Sequence, residues 1–169
     1  ILSSNNSFQL VWRLWSMKES AYKIYVQQFA KRFFAPQKFE CFLQNEINGV
    51  VCFENITYPT TSKLTNRYIY SIALTKTPQN HLSSYFIIDS SSRLHQRQVS
   101  YHHLKSTISH HHNIPFDTLT LKKNNAGVPI LYQNEQTLAL PFSISHHGNY
   151  GLVSIQSTTT EQAHEASSV

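Results

Sequence analysis

Trp12-Arg-Leu-Trp-Ser-Met-Lys-Glu-Ser-Ala-Tyr-Lys-Ile-Tyr25 decides how this chain is read. Val11, Leu14, Trp15, Ala21, Tyr22, Ile24, Tyr25, Phe29 and Phe33 supply apolar side chains, many at three- and four-residue spacing. That period predicts an amphipathic helix from about Phe8 to Phe34 with one wide buried stripe. Lys18, Glu19 and Lys23 interrupt the apolar text. Glu19 and Lys23 are four residues apart and emerge on one side of the helix, Trp15 one turn before Glu19 and Tyr22 one turn after Lys18. Two readings follow. As a surface ion pair, the group contributes about 0.2–0.5 kcal/mol. Alternatively, the carboxylate ligates a hard cation and the lysine one turn on binds phosphate. Bound Mg²⁺ usually shares one or two carboxylates with substrate phosphates, and lysine supplies a point charge to the same oxygens. The helix alone does not choose between them.

The chain has 169 residues and 40% hydrophobic content, enough for a sizeable core in one domain or in two intimately packed small ones. Net charge is +5 with histidines neutral, which suits acidic partners: phosphates, nucleic acid or an acidic protein. Two cysteines, Cys41 and Cys52, are too few for a disulfide framework and read as buried thiols of a cytoplasmic protein. No apolar run has membrane-spanning length and no signal peptide is visible, so no membrane partner is expected. Residue 1 is Ile and the only methionine is Met17, so an upstream segment is expected to be missing.

Asn5, Asn6 or Ser7 is a candidate cap for the first helix, and Pro36 stops it. The text then turns to strand period. Lys38–Leu43, Gly49–Tyr58 and Arg67–Thr75 read as three antiparallel strands in a meander, with Ser84–Asp89 as a short fourth strand. This block carries no evident chemistry. A second helix is predicted from Ser91 to His112, capped within Ser90–Ser92. It holds His95, His102, His103, His110, His111 and His112. Helical histidines four apart can bind zinc, but no cysteine or carboxylate lies among these, and they read as exposed helix-end histidines. Beyond it lie a strand over Pro115–Leu121, a basic turn from Lys122 to Pro129, and strands Ile130–Tyr132, Leu138–Ile144 and Tyr150–Gln156. Residues Ser157–Val169 read as a flexible tail, leaving 1–156 as the domain.

Three features converge: Trp-x-x-Lys-Glu-Ser-x-x-Lys over Trp15–Lys23, Lys-x-x-x-Gly-x-Pro over Lys123–Pro129, and Phe142-Ser-Ile-Ser-His146 before a glycine turn and a closing strand. In this order they resemble the 4′-phosphopantetheinyl transferase superfamily, with the motif order of the holo-acyl-carrier-protein synthases. The resemblance covers residues 8–34 and 118–156, under half of the chain. It implies an α+β fold, an antiparallel sheet packed against the long N-terminal helix. It also implies an enzyme that moves the phosphopantetheine arm of coenzyme A to a serine of an acyl or peptidyl carrier protein, releasing adenosine 3′,5′-bisphosphate. Glu19 would ligate Mg²⁺; the resemblance leaves the general base open, with Glu19 acting through a metal-bound water the preferred assignment. Lys23 and Lys18 would hold phosphate oxygens. Ser145 and His146 would contact coenzyme A phosphates, with His147 as a neighbour. Lys123, Gly127 and Pro129 would shape the nucleotide pocket. The family's sites often lie between subunits or pseudo-repeated halves, so both a homo-oligomer and a monomer are compatible with it.

The chain departs from the family at one point. The family opens on a strand with Gly-x-Asp, whose aspartate is a second metal ligand. Here the only aspartates are Asp89 and Asp117, and neither follows a glycine. The alternatives are therefore a coenzyme A- or carrier-protein-binding pseudoenzyme and, least favoured, a basic nucleic-acid-binding domain.

Overall fold

A computed structural model of the chain describes residues 4–33, 35–75, 81–125 and 127–156. The predicted tail, Ser157–Val169, lies outside them. The fold is α+β and divides into two compact units, Ile1–Pro78 with Leu121–Ile130, and Gln79–Thr120 with Leu131–Val169.

In the first unit, helix α1 (Ser4–Phe29) packs on a four-stranded antiparallel meander. Its strands are β1 (Glu40–Leu43), β2 (Asn48–Phe53), β3 (Ile56–Leu64) and β4 (Ile69–Ala73), paired in that order. Met17, Ala21 and Tyr25, at four-residue spacing, bury one helix face against Val51, Phe53, Tyr58 and Ala73. Near the helix start the buried Arg13 donates through Nη2 to the carbonyls of Asn45 (2.9 Å) and Asn48 (3.0 Å), fixing the β1–β2 loop.

Two sequence expectations are corrected here. The period predicts a helix to Phe34, but α1 ends at Phe29, because Ala30 takes a left-handed φ of 53° and turns the chain back. Phe33 can then leave the helix direction and set its ring 5.5 Å from Tyr22 and 5.2 Å from Phe53. Likewise Gly49–Tyr58 is not one strand. Glu54 and Asn55, both at positive φ, make the two-residue turn between β2 and β3. Pro59, expected to punctuate, lies inside β3. Its carbonyl accepts the Leu74 amide at 2.9 Å, just past the end of the β3–β4 ladder, so its missing N–H costs no more than one terminal bond.

In the second unit, helix α2 (Arg93–His112) packs on β10 of an antiparallel sheet of order β5-β10-β9. These strands are β5 (His81–Ile87), β9 (Phe142–His147) and β10 (Tyr150–Gln156). The predicted fourth strand therefore joins this sheet and not the meander. Ser92 caps α2, its side chain accepting the His95 amide at 3.5 Å. A third sheet has the order β6 (Leu119–Lys123), β7 (Pro129–Gln133) and β8 (Gln136–Thr137).

Gly151 pairs with Phe86 on one side and His146 on the other. The Phe86 ring occupies the place of a side chain at Gly151 and stacks on His103 of α2 at 4.4 Å. A Cβ at 151 would overlap that ring. Gly151→Ala is expected to cost about 1–3 kcal/mol through overpacking, measured as a lowered thermal midpoint. An unchanged midpoint would show that Phe86 is not seated there.

Candidate functional site

α1 carries the first part of the site. By helical geometry Glu19 and Lys23 lie on the face turned away from Met17 and Ala21. Both are half-buried. Desolvation of the Lys23 ammonium lowers its pKa to about 8, and the Glu19 carboxylate opposes the shift. Lys18, also half-buried, donates from Nζ to the Pro36 carbonyl at 3.0 Å. That bond ties the segment after the helix back to its middle and leaves two ammonium N–H groups for other acceptors.

The second part is the turn between β6 and β7. Its tip, Leu121–Ile130, belongs to the first unit together with α1. Lys123 is exposed and Pro129 half-buried. The Gly127 amide donates to Asn124 O at 2.8 Å, and the Val128 amide to Asn124 Oδ1 at 2.9 Å. Gly127 has a φ of +71°, which favours glycine. Its open side is filled by Arg32, whose guanidinium atoms lie 2.9–3.1 Å from where a Cβ would stand and whose Nη2 donates to Gly127 O at 2.9 Å.

The Ser145–His146 motif lies in the second unit. Ser145 is half-buried and His146 exposed on β9. They are adjacent along a strand, so their side chains leave opposite faces. His146 shares a cross-strand row with Gly151 and Phe86 on the side of α2, and Ser145 shares one with Leu152 and Tyr85 on the other side. Direct side-chain contact of both with one phosphate is therefore disfavoured by the pleat. The pair as read from sequence reduces to one side chain and the backbone between them.

The histidines of α2 have local roles. His103 Nε2 bonds Ser84 Oγ at 2.9 Å, and burial lowers its pKa, with His102 adding to the effect. His102 packs against Phe116 at 5.1 Å. Among the described residues no three His, Cys, Asp or Glu side chains gather to hold a metal. Glu19 is the one carboxylate of the helix motif, an oxygen donor of the kind Mg²⁺ prefers, and Lys23 is a cation and not a ligand.

Comparison with protein-family models, with curated proteins and with solved structures gave no match. Among the described residues no helix is long and apolar enough to cross a membrane.

The Lys23 shift has a measurable sign. The folded pKa of about 8 lies below the ordinary 10.5, so the unfolded chain binds more protons between these values. Stability therefore rises with pH above 8, by less than about 1 kcal/mol per pH unit because the side chain is partly solvated. Burial raises the pKa of Cys41, Tyr25 and Tyr58, which opposes the trend only above their ordinary values of 9 and 10. Urea midpoints should climb between pH 7.5 and 9 and stay flatter in Lys23→Gln. Equal slopes would mean that the ammonium is hydrated.

Proposed function

We propose that the chain transfers the 4′-phosphopantetheine arm of coenzyme A to a serine hydroxyl of an acyl or peptidyl carrier protein. The observation that carries this reading is the desolvated Lys23 ammonium beside Glu19 on the helix face turned away from the core. A lysine held near pKa 8 by burial is one whose charge is restored by an arriving anion. The motif Trp15–Lys23 and the Lys123–Pro129 turn lie in one unit, and it is their resemblance to the phosphopantetheinyl transferases that implies a nucleotide diphosphate as that anion.

In the transfer, the acceptor serine oxygen bonds to the phosphorus next to pantetheine. The bond from that phosphorus to the bridging oxygen breaks, adenosine 3′,5′-bisphosphate leaves, and the serine proton passes to solvent. Lys23 donates to a phosphate oxygen and offsets the charge that moves to the leaving group. Glu19 would hold Mg²⁺ together with pyrophosphate oxygens, and the ion supplies further neutralisation of that charge. Lys123 and the turn around Gly127 would hold the nucleotide half. The surplus of basic residues favours encounter with an acidic carrier protein.

The test is incubation of the chain with apo carrier protein, coenzyme A and Mg²⁺, read by mass spectrometry. Gain of one phosphopantetheine on the carrier serine supports the reading. Coenzyme A binding without transfer would leave a binding pseudoenzyme in its place. Steeply salt-dependent binding to DNA or RNA that coenzyme A does not displace would replace both.

A further inference from the structure

Strand β1 is the margin of the four-stranded sheet, and its outer edge meets no strand among the described residues. The Gln44 amide donates to Asn48 O at 3.1 Å, which sets the parity of the β1–β2 ladder. Glu40 and Phe42 fall in the hydrogen-bonded pairs, with Cys52 and Val50. The amides and carbonyls of Cys41 and Leu43 therefore point to the open edge. Among the described residues no hydrogen bond takes them up. Such edges are commonly blunted by proline, lysine or a bulge, and Glu40–Leu43 has none of these. Beyond Glu40 its exposed side chains are apolar: Phe42 is 54% and Leu43 44% exposed. The bonds from Arg13 to the Asn45 and Asn48 carbonyls hold the hairpin that presents this edge.

We infer that the β1 edge pairs with the β1 edge of a second copy, antiparallel about a two-fold axis at Phe42, in a weak dimer. The inference is independent of the transfer reading. Three features fit the edge to its own copy. In this register Cys41 lies opposite the partner's Leu43 and Leu43 opposite the partner's Cys41, so four bonds satisfy every outward group of both strands. Moving the axis to Leu43 would set Glu40 against the partner's Glu46, and moving it to Cys41 would set Leu43 against the buried Phe39. The side chains also match. The two Phe42 rings meet across the axis on the face away from α1, in a row that continues through Val50 and Pro59. On the other face the partner's Leu43 lies opposite Cys41, whose thiol donates to Leu14 O at 3.8 Å. Val11, one turn before Leu14 and 63% exposed, adds apolar surface there. Charge completes the fit. Glu40 opposes the uncharged Gln44, and past the strand ends Lys38 turns toward the partner's Glu46, both exposed. Four residues a side make a small interface, so association is concentration-dependent.

The experiment is sedimentation of the full chain from micromolar to millimolar concentration, with amide hydrogen exchange at both ends of the range. The chain should self-associate, and exchange at Cys41 and Leu43 should slow as it does, while the Phe42 amide, already bonded to Val50, stays unchanged. Leu43→Pro removes an outward N–H that β2 does not use, and Phe42→Lys sets like charges across the axis. Each is expected to weaken association at least about tenfold with the thermal midpoint of the dilute protein unchanged. Should Leu43→Pro not fold, Phe42→Lys, on an exposed side chain, carries the test alone. A chain that stays monomeric at millimolar concentration overturns the inference, as does association equally strong in both variants. Protection of Cys41 and Leu43 only on addition of apo carrier protein would give the edge to that partner and also overturn it.

Discussion

Glu19→Gln is expected to lower carrier-protein modification by at least about 100-fold, while the thermal midpoint stays close to that of the parent. The substitution keeps the shape of the side chain and removes its charge. Glu19 is half-buried on the face turned away from the core, so packing against Met17 and Ala21 is untouched. Two consequences follow from the lost charge. An amide is a poor ligand for Mg²⁺, which prefers carboxylate and phosphate oxygens. Lys23 also loses the carboxylate that opposes its desolvation, so its pKa should fall further below about 8. More of the lysine would then be neutral at pH 7.5, and phosphate binding would weaken even without metal. Steady-state assays with mass-spectrometric readout and Mg²⁺ titration separate the two. Normal turnover by Glu19→Gln would sink the assignment of this carboxylate to the reaction.

Phe39→Ala should destabilise the first unit by about 3–5 kcal/mol, measured by urea unfolding. Phe39 is 2% exposed and lies in the centre of an aromatic group. Its ring stacks on Phe53 at 4.3 Å and on Phe33 at 6.0 Å, and meets Tyr22 edge-on at 6.2 Å. Truncation removes the buried ring area and leaves a cavity whose walls belong to α1 and the meander. Phe33 loses a stacking partner, so the segment that carries Arg32 should loosen as well. Phe39→Leu should retain more than half of the stability. A loss under about 1 kcal/mol for Phe39→Ala would show that the ring does not close this core.

Several elements are legible in the sequence because their signals are local. The first helix follows from its period and α2 from its period and Ser92, whose side chain caps it. β10 runs over Tyr150–Gln156 as its alternation predicts. The Glu19–Lys23 pairing also follows from spacing alone, since residues four apart on a helix are neighbours. The position of the first helix end does not. Phe29-Ala-Lys-Arg-Phe33 has no glycine, and its period favours continuation. A left-handed Ala30 costs about 1–2 kcal/mol, and the partial burial of the Phe33 ring against Tyr22, Tyr25, Phe39 and Phe53 offsets that cost.

The candidate site divides in the same way. Lys18, Glu19, Lys23, Lys123, Gly127, Pro129, Ser145 and His146 could be named from motifs. The opposite directions of Ser145 and His146 required the bounds of β9, because alternation has meaning only once a strand is fixed. By itself the sequence determined the helical spacing of the charged residues and the chemistry they can offer. Only the tertiary structure decided that Lys23 is desolvated and that Arg32 meets Gly127. The physical reason is that periodicity and capping act over a few residues, whereas desolvation and long-range hydrogen bonds arise when distant segments exclude water together.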